Sequence, residues 1–473
     1  MQNGIPESVY KCLPILKTDF TGAIAMARLI SRRNFLKSSA ATAAIPFLFP
    51  RMTRADEAKK LRVASVGVGG MGGSDIRNIA SGNAKIIAIC DVDKNNVAAA
   101  AKLFPDARVY ADFREMFKKE ASEIDAVQVS TPDHMHAPIA MTAINLGKHV
   151  YCQKPMAHEI YECRQLAKAA AAKKVVTQMG IQIHSSIAYR MAVQMIQEGI
   201  IGKVSEVHSW SSKEWGSKTG RPDHSDPVPE NLNWDLWIGT APERPYVKGI
   251  YHQSNWRKWS DFGTGTQGDM ACHIVDPVYS ALKLTAPTLV WAEGPAPYPE
   301  TWPMAGTAHY EFPGTAFTTD TLKYTWYNGA RRPDLALLLG EKDSTRANPK
   351  PLAKFPDQGS IFVGEKGNML LEHVGGPRFF PYEKFVGTKK PELKNLDHYH
   401  SWVDAALGNG ETGASFAYAA PLTECVLLGL VASYEPNEKM IWNSEKLVFP
   451  DHEKATARLR RTYRKGWEVE GLS

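Results

Sequence analysis

Cysteine pairing is the first thing missing from this 473-residue chain, which has six cysteines and no CxxC pair. Cys12 lies in the first 55 residues; Cys90, Cys152, Cys163, Cys272 and Cys425 follow, an odd number without metal-ligand spacing. That pattern argues against a disulfide framework or a zinc ribbon, even in an oxidising compartment. Cys90 and Cys152 stand in apolar runs and read as small buried hydrophobes. An excess of one charge is missing too. The formal net charge is +6, but residues 1–55 hold eight Lys or Arg against two Asp or Glu, leaving 48 of each sign in the rest. The remainder therefore offers no compositional basis for a nucleic-acid surface. No apolar run is long enough to cross a membrane: the stretch from Ser38 to Phe49 is broken by Pro46 and falls short of the roughly 20 residues required. Tryptophan is absent before residue 210, and there is no internal repeat. With 44% hydrophobic and 22% charged residues the composition is that of an ordinary folded protein.

What is present begins with Ser31-Arg32-Arg33-Asn34-Phe35-Leu36-Lys37 ahead of that alanine-rich run. This resembles a twin-arginine (Tat) export signal, which implies the Tat machinery as a partner and the periplasm as destination. Residues 1–55 are read as the signal peptide, cleaved after Ala55, with Met26 as a second candidate start. No cysteine stands near that point to carry a lipid, so no membrane association is expected after cleavage.

From Leu61 strands and helices alternate. Leu61–Val66, Ala84–Cys90 and Ile124–Ser130 read as buried strands, His149–Cys152 as a short one, and Gly72–Ala80, Asn95–Leu103 and Pro138–Leu146 as helices. Repeated strand–helix units predict a doubly wound α/β domain with a parallel sheet, assigned to residues 56–182. The texture changes after about Gly180. Residues 211–265 are rich in Trp, Pro, Gly and Asp, while Thr318–Tyr327 and Ile361–Leu371 read as strands with turns. Residues 183–473 are expected to form an α+β domain on an open, mainly antiparallel sheet.

Gly67-Val68-Gly69-Gly70-Met71-Gly72 follows a predicted strand and precedes a helix, the context in which G-x-G-x-x-G signifies a dinucleotide. Gly67 permits the tight turn, Gly69 lets backbone approach the pyrophosphate, and Gly72 lets helix and strand pack. Free amides at the helix start meet the phosphate charge. Asp91 ends the next strand at the spacing of a ribose-binding carboxylate, which favours NAD over NADP.

Gln153-Lys154-Pro155 follows the strand ending at Cys152, where parallel sheets place ligands. Asp269 and His273 are four apart, on one face if the segment is helical. A histidine can take a hydroxyl proton near neutral pH, and a lysine can polarise the same oxygen. These groups suit oxidation of an alcohol.

With the glycine turn, Thr131-Pro132 and His136, Gln153-Lys154-Pro155, and Asp269 with His273 in this order, the chain resembles the glucose–fructose oxidoreductase, inositol dehydrogenase and MocA (Gfo/Idh/MocA) family from Leu61 to about Ser433. The resemblance implies a Rossmann domain followed by an open sheet that often mediates homo-oligomerisation. It also implies NAD as cofactor, Lys154 and His273 as the proton-handling pair, and Asp269 as the residue that orients substrate or histidine. Gln153 departs from the family's commoner glutamate. Gln182, His184, Trp256 and Trp259 are candidate substrate contacts, with packing as the alternative for each. His134 and His136 could suggest a metal, but a nicotinamide-side loop is the simpler reading and none is expected.

An exported enzyme has no soluble NAD pool outside the cell. The expected function is therefore oxidation of a carbohydrate or polyol hydroxyl with tightly held, internally recycled NAD. A redox-neutral NAD-dependent glycosidase or lyase, resembling the α-N-acetylgalactosaminidase branch, is the first alternative, and a non-catalytic sugar-binding protein the second.

Overall fold

A computed structural model describes residues 60–337 and 354–473; the signal peptide lies outside the described residues. The first sheet contains β1 (Leu61–Val66), β2 (Ala84–Cys90), β3 (Arg108–Tyr110), β4 (Ala126–Val129), β5 (His149–Gln153) and β6 (Thr177–Gly180). Its order is β3-β2-β1-β4-β5-β6 with every pair parallel. The near-continuous apolar runs follow from this: all four residues of β4 are buried because helices cover both faces. Helices 70–81, 94–103, 113–120, 136–145 and 160–173 supply that cover. Their starts are set by local chemistry. Asp93 and Asp112 accept the amide two residues on, and Glu159 with Glu162 forms a reciprocal capping pair.

β4 is shorter than the predicted Ile124–Ser130. On its N-terminal side Asp125 accepts from the Arg62 amide (3.1 Å) and guanidinium (3.0 and 2.8 Å). Strand order reverses between β1 and β4, so the crevice at their carboxyl ends is the natural place for a ligand.

The second sheet contains β7 (Val204–Ser211), β8 (Leu289–Glu293), β9 (Gly306–Pro313), β10 (Thr318–Asn328), β11 (Gln358–Gly364), β12 (Gly367–Glu372), β13 (Pro377–Phe380) and β14 (Met440–Ile441). They lie in the order β13-β12-β11-β7-β10-β9-β8-β14. Only β7 and β10 pair in parallel, so the sheet is mixed and mainly antiparallel, as expected. The helix Phe416–Ala432 is apolar all round because it is interior and packs against helix 160–173. Its buried Glu424 accepts from Arg164 and from Trp442 Nε1 (3.2 Å), pinning the second domain to the first. Among the described residues no helix is long and apolar enough to cross a membrane. The five described cysteines are buried and unpaired.

The aromatic loop region has a core of its own, with Trp237, Tyr246, Tyr251, Trp259 and Phe262 buried together. Trp234 and Trp237 stack at 4.8 Å. Phe262 and Trp237 pack on the buried His134, which fastens this loop core to the segment that follows β4.

Candidate active site at the carboxyl ends of the parallel strands

The glycine turn sits in the switch-point crevice. Gly67 has φ +79°, and a Cβ there would lie 2.6 Å from the Ser130 carbonyl oxygen. At Gly72 a Cβ would lie 2.0 Å from the Gly67 carbonyl oxygen. Helix 70–81 then begins with no side-chain cap and no acidic residue in its first turn, leaving its amides free for an anion. Gly70 and Met71 stand exposed at that helix start.

Asp91 faces the turn: its carboxylate accepts from the Val68 amide (2.9 Å), the Asp93 amide (2.9 Å) and Asn96 Nδ2 (3.3 Å). Burial nonetheless raises its pKa above the ordinary range. Thr131 Oγ1 is buried beside the turn without a hydrogen-bond partner. A cradle closed to side chains, free amides and an oriented carboxylate fit a dinucleotide.

Sequence reasoning missed Asp75. It lies fully buried on helix 70–81, accepting from Ser130 Oγ (2.7 Å), Gln153 Nε2 (2.9 Å) and Tyr399 Oη (2.8 Å). Gln182 joins this layer, donating to Tyr399 Oη at 3.0 Å. The glutamine in place of glutamate is thereby explained: the neighbouring carboxylate is already present, and Gln153 supplies the donor it needs.

Lys154 leaves the end of β5 for the other domain. Its Nζ donates to the Asp269 carbonyl oxygen and to Asp269 Oδ1, both at 2.7 Å. Three more donors share that carboxylate: Lys213 Nζ (3.1 Å) and Trp215 Nε1 (2.9 Å) at Oδ2, and Arg257 Nε (3.1 Å) at Oδ1. Burial alone would raise the Asp269 pKa, but Lys154, Arg257 and Lys213 hold it well below the carboxylate range.

The segment Gln267–Ala271 is a π-helical turn that passes into α-helix at Cys272. The Asp269 carboxylate spends its hydrogen bonds on the cations and Trp215, none on His273, which it influences through its charge alone. His273 is kept neutral instead: burial, then the charge of Lys154 and the nearby His373, lower its pKa well below 6.5. Its Nδ1 is buried and has no hydrogen-bond partner. The His373 ring lies 5.8 Å from that of His273, and its Nδ1 pairs with Tyr189 Oη at 2.9 Å. Burial and the charges of Lys213 and Lys154 push His373 down to about 4.

Other expected site residues find their partners elsewhere. His136 sits with its ring nitrogens 2.7 Å from the Pro155 oxygen and 2.8 Å from the Thr131 oxygen, bracing the Thr131-Pro132 loop against Lys154-Pro155. Trp259 is buried in the loop core and donates to the Ile250 carbonyl (3.0 Å), so packing claims it. Trp256 lies 4.3 Å from the Arg257 guanidinium. His184 pairs with buried Asp276 at 2.8 Å, which raises its pKa against the lowering effect of burial. Gln182 and His184 thus hold the joint between the domains.

Away from the crevice, Glu435, Glu438 and His452 bring potential ligand atoms within 4.8 Å of one another. His452 Nδ1 accepts the Ala455 amide (3.1 Å), so its Nε2 carries the proton that goes to Glu438 (2.9 Å). A protonated nitrogen does not ligate a metal.

A doubly wound nucleotide-binding domain, joined through Lys154 to an open sheet domain, is the architecture of a pyridine-nucleotide oxidoreductase. Residues 61–181 match the NAD-binding Rossmann fold of an oxidoreductase family and residues 189–301 its C-terminal alpha/beta domain. The chain belongs to that family, Gfo/Idh/MocA, and its first domain binds NAD. Residues 29–48 match the Tat pathway signal sequence, which directs export to the periplasm.

Levoglucosan dehydrogenase of Pseudarthrobacter phenanthrenivorans is 25% identical over 188 residues, 40% of each chain. A glycosyl hydrolase family 109 protein of Shewanella pealeana is 27% identical over 175 residues, 34% of this chain and 38% of that one. The chain spans less than half the length of these curated relatives. The WlbA dehydrogenase of Bordetella pertussis, crystallised with NADH and UDP-GlcNAcA, superposes over 81% of this chain and 99% of its own, with a TM-score of 0.57 and 16% identity. This likeness is one of fold.

Proposed function

We propose that the protein is an exported NAD-dependent oxidoreductase that oxidises a hydroxyl of a carbohydrate or polyol and keeps its cofactor bound through successive turnovers. The observation that carries the reading is the 2.7 Å contact of Lys154 Nζ with Asp269 beside a neutral His273, with the adjacent Gln153 bonded to Asp75 of the glycine-turn helix. Bound NAD supplies the hydride acceptor. Gly67, Gly69, Gly70, Met71 and Gly72 would cradle the pyrophosphate with helix amides, and Asp91 would bind the ribose. Thr131, Pro132, His136 and Gln153 would shape the nicotinamide end, together with the stem of Lys154.

In this reading the neutral His273 accepts the hydroxyl proton, and Lys154 hydrogen-bonds the same oxygen as carbonyl character develops. Asp269 holds the Lys154 ammonium in position, and the remaining cations offset its charge. The test is a panel of sugars and polyols scored by nicotinamide absorbance. At least one should reduce the retained cofactor, a second carbonyl substrate should reoxidise it, and Lys154→Ala should abolish both.

A second reading, redox-neutral cleavage of a glycoside, is favoured by the similarity to a glycosyl hydrolase family 109 protein. Its mark would be release of an aryl leaving group without net NADH. Homo-oligomerisation through the second sheet also belongs to this proposal, and light scattering of the mature protein tests it.

A further inference from the structure

The site holds more positive charge than the proposed oxidation requires. Three cations, Lys154, Lys213 and Arg257, face one carboxylate, Asp269. Both nearby imidazoles, His273 and His373, are held neutral. Lys154 alone already makes two short contacts to Asp269. Lys213 and Arg257 give that carboxylate one hydrogen bond each, and Arg257 Nη1 also donates to the Ser254 carbonyl oxygen (3.4 Å), which leaves Nη2 of Arg257 and further Nζ protons of Lys213 for another acceptor.

Exposure is graded. The Asp269 side chain is 6% exposed, Lys154 14%, Arg257 23% and Lys213 40%, so the surplus cations stand between the buried carboxylate and solvent. Arg257 is also pre-set: its guanidinium lies 4.3 Å from the Trp256 ring and 5.5 Å from that of Trp215. A guanidinium fixed by indoles loses little freedom on meeting an anion, and its planar fork matches a carboxylate or phosphate.

We infer that the substrate is an anionic sugar or polyol, one bearing a carboxylate or a phosphate, which Lys213 and Arg257 bind while its reacting hydroxyl faces Lys154 and His273. This rests on the oxidoreductase reading above and adds to it the chemical class of substrate. Lys213 and Arg257 determine specificity here; the oxidation itself is assigned to other groups.

The experiment uses the mature protein with its retained cofactor. Glucuronate and galacturonate, glucose 6-phosphate, and neutral glucose and galactose are compared by reduction of the nicotinamide. Charge-assisted recognition predicts a KM for the charged sugars about 10- to 100-fold below that of their neutral parents. That KM should rise with salt as screening strengthens. Preference for the uronates assigns the anion as a carboxylate, and preference for the 6-phosphate assigns it as a phosphate.

Arg257→Gln and Lys213→Met should each raise KM for the charged sugar by about 10-fold or more with a smaller effect on kcat, and Arg257→Lys should recover part of the loss. Cofactor retention reports that each variant is folded, and the salt dependence needs no variant at all. Equal use of neutral and charged sugars, independent of salt, would overturn the inference and leave the oxidation standing. Reduction by none of the five sugars, nor by any other charged or neutral one in the wider panel, would overturn both.

Discussion

Gln153 donates to Asp75 at 2.9 Å, so the residue beside Lys154 is bound to a fully buried carboxylate on the helix of the glycine turn. Helix 70–81 and the end of β5 are thereby coupled through one hydrogen bond. Burial raises the Asp75 pKa despite donors from Ser130, Tyr399 and Gln153, so a second carboxylate has no place there. Gln153→Glu should therefore destabilise the protein by about 2 kcal/mol. Adding Asp75→Asn should restore most of the loss, because the amide can donate to the new glutamate. Urea unfolding of the two single variants and the double variant measures the coupling. Additive losses would contradict it.

Lys154→Met removes the ammonium between the two domains. Loss of a group that hydrogen-bonds the reacting oxygen costs about 10²- to 10⁴-fold in rate. Hydride transfer should fall by that range in single-turnover absorbance measurements, while the nucleotide content of the purified variant stays that of the parent.

His273 should set an acid limb far below that of an ordinary histidine. Burial, Lys154 and His373 all favour the neutral ring. The base form is thus already present at pH 6.5, and log kcat/KM should stay level from neutral pH down through 6.5 before it falls. A limb centred at 6.5 would mean that the ring is solvated and distant from Lys154.

Asp269 gives stability a pH dependence of the opposite origin. Its folded pKa lies well below the ordinary 3.8 because Lys154, Arg257 and Lys213 outweigh its burial. Its contribution is therefore present above about pH 3.8 and is lost as pH falls through the folded value. Asp269→Asn should cost about 3 kcal/mol at neutral pH, since it leaves clustered cations unpaired. The stability curves of the two proteins should converge in acid.

Gly67→Ala places a Cβ 2.6 Å from the Ser130 carbonyl oxygen at a position with φ +79°. The turn must shift, so cofactor affinity should fall more than global stability does. Isothermal titration of the stripped protein with NAD, beside its thermal unfolding, separates the two effects.

The first domain was legible because its signals are local. The glycine turn, the buried strands and Asp91 lie within one strand–helix–strand stretch, and β1, β2 and helix 94–103 fall close to their expected ranges. The cation cluster was not legible, because its members come from four separate segments. Lys213 and Trp215 follow β7, Arg257 sits in the aromatic loop, and Lys154 reaches Asp269 across 115 residues of sequence. Asp75 meets Tyr399 across 324 residues, a pairing that no periodicity announces. The spacing of Asp269 and His273 did not announce the partners of the carboxylate, which come from three other segments. For Trp259 the packing alternative holds, because an aromatic loop can build its own core, and composition does not tell a buried indole from a sugar platform.

The most direct measurement is the nucleotide content of the mature protein recovered from the periplasm and extensively dialysed. Denaturation should release NAD or NADH in about equimolar amount, and adding a substrate sugar before denaturation should shift the released form to NADH. A protein that emerges empty and fails to take up NAD on titration would contradict a cofactor carried out in the folded chain.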